Sequence, residues 1–227
     1  MGLLSDAVMN GEVKTVGINQ HDWTLFYSND YLKAIGVQGL SACSVVAVVS
    51  PHAAAVAHIG PNELGTLDPH SFIELAERLT RDVVTTCTVN HTQFPVTRKI
   101  HVVCATINHN VITAPEQLKV MYQGLKELPH SNVQWHHYEQ SNEVLINHRT
   151  HLGTVFVNGR HGNPRVYVED RDITDASGMS PVWFYNGRYQ LKLGPAILEE
   201  IINPPLNAWI SSGSKWIMWD GTDWISP

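Results

Sequence analysis

The sequence predicts an α+β fold in which mixed β-sheets pack together as a sandwich-like core, with helices on the outside. Three observations predict it. Strand-like segments outnumber helical ones along the 227 residues. A dense block of Val and small residues, Leu40 to Ile59, is broken only by Ser50–Pro51. Two segments with apolar residues at helical spacing interrupt the strands.

Residues 1–36 are mixed, with a short strand expected at Trp23–Tyr27 and a turn at Ser28–Asp30. The block at 40–59 reads as two adjacent strands joined by a tight turn at Ser50–Pro51. The first, Ser44 to Val49, is apolar after its serine and should be buried on both faces. Asp68–Pro69 is a helix opening, and Phe72, Ala76, Leu79 and Val83 form one stripe after it. Lys99 to Thr106 is a strand. Thr113 to Glu116 reads as a capping box for a second helix, with Leu118, Met121, Tyr122 and Leu125 on one face. A strand follows from Asn132 to Tyr138, then strands and turns from Glu143 to Tyr167, with turn signals at Asn158–Gly159 and Gly162–Asn163. A third, short helix is expected at Pro195–Ile202. Residues 182–189 and 216–224 each read as an aromatic hairpin around an Asn–Gly or Asp–Gly turn. The organisation is one domain over 1–227, with a tryptophan-rich extension at about 204–227 that holds four of the seven tryptophans.

Bulk composition excludes several classes. Net charge is −6 with no basic block, so no nucleic-acid partner is expected. No run of about 18 apolar residues occurs, so no membrane partner or span is expected. The first residues lack a basic region followed by an apolar one, so no secretory leader is expected. Three cysteines without a CxxC pair indicate a reducing, cytoplasmic setting. Thirteen histidines without an HExxH motif give no metal-site pattern, and no cofactor is called for. The adjacent His136 and His137 should face opposite sides of a strand.

Among the candidate reactive groups, Cys43 has the richest context. A thiol becomes a good nucleophile when a neighbour takes its proton, and imidazole is the usual neighbour. A turn near residue 51 puts Cys43 and His58 about seven positions to either side, where antiparallel strands bring them across from each other. Gly39, Ser41 and Ala42 leave room for a substrate, and main-chain N–H groups near Ser41 and Ala42 are free to hold an oxyanion. The plain alternative is that Cys43 is a small core hydrophobe, as expected of Cys104 within its apolar strand. His52 competes with His58 for the base role, but sits in the turn.

The segment GLSACSVVAV (39–48), followed by AVAHIGP (55–61), resembles the active-site region of a cysteine hydrolase superfamily. Its members are the chemotaxis glutamine deamidases of the CheD type, the cytotoxic necrotizing factor toxins and related enzymes. They carry a glycine–leucine–small–small–cysteine turn, an apolar strand, and a histidine some fifteen residues on. The resemblance spans about residues 36–170 and is specific only over 39–61. It implies a Cys43–His58 dyad acting on a carbonyl. The position of the chemotaxis enzymes' histidine-orienting threonine is Val37 here, which lacks a hydroxyl. The toxin branch uses a main-chain carbonyl for that task, which makes the Val37 carbonyl the expected third member.

Three functional classes remain open at this level. The first is a thiol amidohydrolase acting on a small-molecule or protein amide. The second uses the same dyad on a polyketide-like carbonyl compound, with Trp216 and Trp219 as a substrate lid. The third is a binding module using the aromatic hairpins, with Cys43 as core.

Overall fold

Residues 44–49 and 53–59 are buried almost without exception, and the rest of the chain is arranged around them. The computed structural model describes residues 2–27, 33–61, 69–107, 111–112, 114–129, 133–140, 152–160 and 162–175. It also gives the backbone of six strands between 182 and 225.

The elements in chain order are α1 (Leu3–Met9), β1 (Lys14–Thr15), β2 (Gln20–Leu25), β3 (Ala34–Val37), β4 (Ser44–Val49), β5 (Ala53–Ile59), α2 (Pro69–Val89), β6 (Lys99–Ile107), β7 (Val111–Ile112), α3 (Pro115–Leu125), β8 (Val133–Glu139), β9 (Val155–Asn158), β10 (Arg165–Val168) and β11 (Arg171–Asp172). The strands β12 (Val182–Tyr185), β13 (Tyr189–Leu193), β14 (Ala196–Ile201), β15 (Trp209–Ser212), β16 (Lys215–Trp219) and β17 (Trp224–Ile225) follow.

Three mixed sheets form. One runs β1-β3-β9-β10-β11, with β1 parallel to β3. The second runs β2-β5-β4-β6-β7, with β8 pairing parallel to β6. The third, β14-β13-β12-β15-β16-β17, joins the tryptophan-rich segment to residues 182–201 in one sheet.

Alternation along β4 and β5 divides their side chains between two cores. Val46, Val48, Ala55, Ala57 and Ile59 face α2 and α3, where Leu75, Leu79, Val83, Leu118, Met121 and Leu125 cover them. Cys43, Val45, Ala47, Val49, Ala54 and Val56 face the β1-to-β11 sheet and meet Ile35, Val155, Val157, Val166 and Val168. On the far side of that sheet, Leu4 and Ala7 of α1 pack on Ala34 and Phe156. The layers are therefore helices, sheet, sheet and helix, the α+β sandwich expected from the sequence.

Most element expectations hold, with two corrections. The strand placed at Trp23–Tyr27 spans Gln20–Leu25 and aligns with all of β5 down to His58. The second helix has Ala114 as its N-cap and Pro115 in its first turn, and Thr113, on which the capping box rests, lies outside the described residues. The segment 196–201 is strand β14, paired with Tyr189–Leu193, and not a helix. Its Ala, Leu and Glu residues favour helix, but so short a helix is marginal alone and the strand partner wins. Asp68 and residues 141–151 lie outside the described residues.

Gly159 shows how tightly the inner core closes. A Cβ there would land inside the ring of Phe26, which is 3% exposed. Gly159→Ala is therefore expected to cost about 1–3 kcal/mol, read as a lowered urea midpoint with an unchanged slope. A wild-type midpoint would show that the Phe26 ring is not fixed.

Candidate functional site

Antiparallel pairing of β4 and β5 sets Ser44 opposite Ile59 and Val45 opposite His58. Cys43, one residue before β4, thus lies two positions along from the residue that faces His58. The two share the inner face as diagonal neighbours, rather than standing directly opposite as the turn count suggested. Diagonal pairs on such a ladder stand about 7 Å apart, within reach of an imidazole. His52 sits beyond the start of β5, at the other end of the ladder, with its ring against Tyr27. That leaves His58 as the histidine on Cys43's end.

Both groups are 3% exposed. Burial pushes the Cys43 thiol up to about 11, while the main-chain N–H groups of Ala42 and Ser41, which point at the sulfur, pull it down. Gly39, at φ 79, makes the left-handed turn that starts this short loop. Burial likewise holds His58 down at about 4, opposed by the Val16 carbonyl acting on the ring. Neither ring nitrogen of His58 completes a hydrogen bond of regular geometry.

These values decide the resting state. Forming a thiolate–imidazolium pair from the neutral groups would oppose a gap of about 7 between about 11 and about 4, or about 10 kcal/mol. Each group therefore rests uncharged, Cys43 as a thiol and His58 as a neutral imidazole.

The main-chain acceptor at His58 is Val16, not Val37. Val37 ends β3 and pairs with Val155, fully buried in the facing sheet. Val16 lies between β1 and β2, where Asn19 binds the end of β5: its N–H donates to the His58 carbonyl at 2.8 Å, and its Oδ1 accepts from Gly60 N at 2.8 Å. Asn19 takes φ 60, a region asparagine tolerates. Ser41 and Ala42 are half-buried in the bend before β4. Trp216 and Trp219 fall in β16, opposite Ser211 and Trp224. The lid reading depends on their side chains, which lie outside the described residues.

Sequence reasoning missed Tyr138. Its phenol donates to the Cys43 carbonyl at 2.8 Å. It also left His136 without a role; the inner face holds a second histidine pair, with His101 Nδ1 3.1 Å from His136 Nε2 and the rings stacked. One ring nitrogen donates to the other, which requires the accepting nitrogen to be unprotonated. Burial lowers them accordingly, His101 to about 3 and His136 to about 4. A cavity of about 100 Å³ lined by Val49, Ser50, Lys99, His101 and Asp175 lies at the turn end of β4, away from Cys43. No group of three or more His, Cys, Asp or Glu among the described residues is placed to hold a metal ion. No helix among them is long and apolar enough to cross a membrane. No known family model matches the chain, and no curated protein is detectably similar to it.

Three histidines held below their ordinary 6.5 make stability depend on pH. Between about 4 and 6.5 the unfolded chain binds protons that the native chain refuses, so stability is full above 6.5 and is lost as pH falls. The unfolding free energy is expected to drop with a slope approaching about 4 kcal/mol per pH unit near pH 5 if all three contribute. His58→Gln should remove about one proton's share of it. Urea titrations at stepped pH measure the slope, and a flat profile down to pH 5 would mean that these rings are not held neutral.

Proposed function

We propose that this chain is a cysteine-dependent enzyme in which Cys43 attacks a carbonyl with His58 as general base, in the manner of an amidohydrolase. The observation that carries the reading is the state of His58. A buried imidazole normally has a partner, because an unsatisfied buried polar group costs roughly 1–3 kcal/mol. Here the ring completes no hydrogen bond of regular geometry and has only the Val16 carbonyl acting on it, on the face and at the strand end that carry a thiol. The N–H groups of Ala42 and Ser41 act on the sulfur and favour its anion, and the same bend supplies the donors closest to a carbonyl bonded there. The resemblance over residues 39–61 supports the same pair.

The steps balance as follows. His58 accepts the thiol proton as sulfur bonds to the carbonyl carbon, and the oxygen becomes an oxyanion held by the loop N–H groups. Collapse expels ammonia or an alcohol, which takes the proton from His58. Water then attacks the thioester, losing its proton to His58, and the acid departs as the thiol is restored.

Burial bears on substrate class. A protein side chain needs an open groove, whereas two reacting groups each 3% exposed suit a small amide, ester or other carbonyl compound enclosed around them. The same attack on a polyketide-like carbonyl compound would lead to cyclisation or carbon–carbon bond formation instead of hydrolysis, and product analysis separates the outcomes.

The test is p-nitrophenyl acetate, a small activated ester. One equivalent of acyl group is expected on Cys43, mapped by mass spectrometry, and it is absent in Cys43→Ser. His58→Ala should slow the step by about 10²–10⁴-fold. An acyl group on another residue, or equal rates in His58→Ala, overturns the proposal.

The pH profile is a separate prediction. A general base works only when neutral, so activity is present above its pKa and is lost as pH falls through it. The acid limb of acylation, measured by brief pH jumps, is expected near 4 and not near the ordinary 6.5. A limb at 6.5 would place the working histidine in contact with water.

A further inference from the structure

Two groups from distant parts of the chain hold the loop that carries Cys43. Tyr138, in β8, is 1% exposed, and its phenol donates to the Cys43 carbonyl at 2.8 Å across 95 residues of chain. At the other end of the loop, Leu40 N donates to the Gly153 carbonyl at 3.0 Å. Gly153 N in turn donates to Glu169 Oε1 at 2.9 Å. Between these anchors lie only Ser41 and Ala42, whose N–H groups point at the sulfur.

Glu169 stands in an unusual backbone state. It and Asp170 form the two-residue turn between β10 and β11, at φ 50 and φ 62. Glycine, asparagine and aspartate enter this left-handed region at low cost, and glutamate does not. Asp170 has a task of its own, accepting from Leu3 N at the start of α1. Such strain persists where the surroundings use it, and the use visible for Glu169 is its carboxylate on Gly153. The same carboxylate lies within electrostatic reach of Tyr138.

We propose that Tyr138 and Glu169 are positioning residues for the Cys43 nucleophile. They pin the loop from Leu40 to Cys43 at both ends, so that the Ser41 and Ala42 N–H groups converge on the sulfur and the thiol stays on the His58 side. This rests on the cysteine-enzyme reading above. A loop pinned at only one end lets its donors drift, and small misplacements of reacting groups cost large factors in rate. The competing account is that Tyr138 merely satisfies a buried phenol and a buried carbonyl, which would affect stability alone.

The experiment is alkylation of the full chain by iodoacetamide, a small electrophile, with each cysteine's rate mapped by mass spectrometry across the pH range of thiol titration. Wild type, His58→Ala, Tyr138→Phe, Glu169→Gln and Glu169→Ala are compared. The expected result is that Tyr138→Phe slows Cys43 by about 10-fold or more and moves its pH midpoint upward. Glu169→Ala does the same, whereas Glu169→Gln, whose amide oxygen still accepts from Gly153 N, keeps the wild-type profile. Cys87 and Cys104 report on global unfolding and are expected to be unchanged. If Tyr138→Phe does not fold, the two Glu169 variants decide. Suppose Cys43 keeps its rate and midpoint to within about twofold in Tyr138→Phe and Glu169→Ala but slows in His58→Ala. Then positioning is overturned and the cysteine reading stands. Should His58→Ala also match wild type, both fall together.

Discussion

Everything in this molecule depends on one hairpin being buried on both of its faces. β4 and β5 have no solvent side: helices α2 and α3 cover one face and a second sheet covers the other. In a strand pair with one wet face, a one-residue slip already turns the whole apolar set toward solvent, and this pins the register. Here a one-residue slip would turn Val46, Val48 and Ile59 toward the facing sheet and Cys43 toward α2. Both cores would be disrupted at once. The register is therefore over-determined, and with it the placement of Cys43 and His58 on one face at one end.

That burial also dictates the chemistry available. A thiol and an imidazole taken out of water both settle in their uncharged forms, and the two shifts run in opposite directions. An exposed cysteine–histidine pair can rest as an ion pair, whereas burial disfavours the charged form of both Cys43 and His58. The influences that oppose burial at both groups are main chain. N–H groups from the 41–42 bend act on the sulfur, and the Val16 carbonyl acts on the ring. Main-chain dipoles are fixed by the fold and need no reorganisation, which suits a site where charge appears only transiently.

The side-chain members of the candidate site were legible in the sequence and the main-chain ones were hidden, for a physical reason. Cys43 and His58 are visible because their residue types carry chemistry and their spacing around Ser50–Pro51 implies a ladder. The buried strand at 44–49 and the stripes Ala76–Leu79–Val83 and Leu118–Met121–Leu125 are visible because periodicity follows burial. Val16 has no such signal, since any residue there offers the same carbonyl, and its place at the ring depends on how the β1–β2 segment crosses the end of β5. The resemblance pointed to the Val37 carbonyl, but Val37 joins the facing sheet beside Val155, and the carbonyl acting on the His58 ring is that of Val16. Tyr138 was read as the end of a strand, correctly, but its bond to Cys43 depends on β8 adding in parallel beside β6. The segment 196–201 failed differently: its composition favours helix, and a strand partner overrode that preference.

The three cysteines provide an internal comparison that argues against treating Cys43 as ordinary core. All three are buried, and burial raises each thiol, to about 11 for Cys43 and about 12 for Cys87 and Cys104. Cys87 sits within α2, packed toward the second sheet. Cys104 lies inside β6 on the helix-covered face, where its thiol meets the His136 carbonyl. A carbonyl there accepts the thiol's proton in a hydrogen bond and would repel a thiolate, so that site favours the protonated form. Cys43 has the opposite surroundings: N–H groups favour its anion, and its own carbonyl is bonded by Tyr138. It also sits where a strand begins rather than within one, so its sulfur borders a loop instead of two ladders. Burial is common to the three thiols, but only at Cys43 is the surrounding backbone oriented to receive negative charge on sulfur.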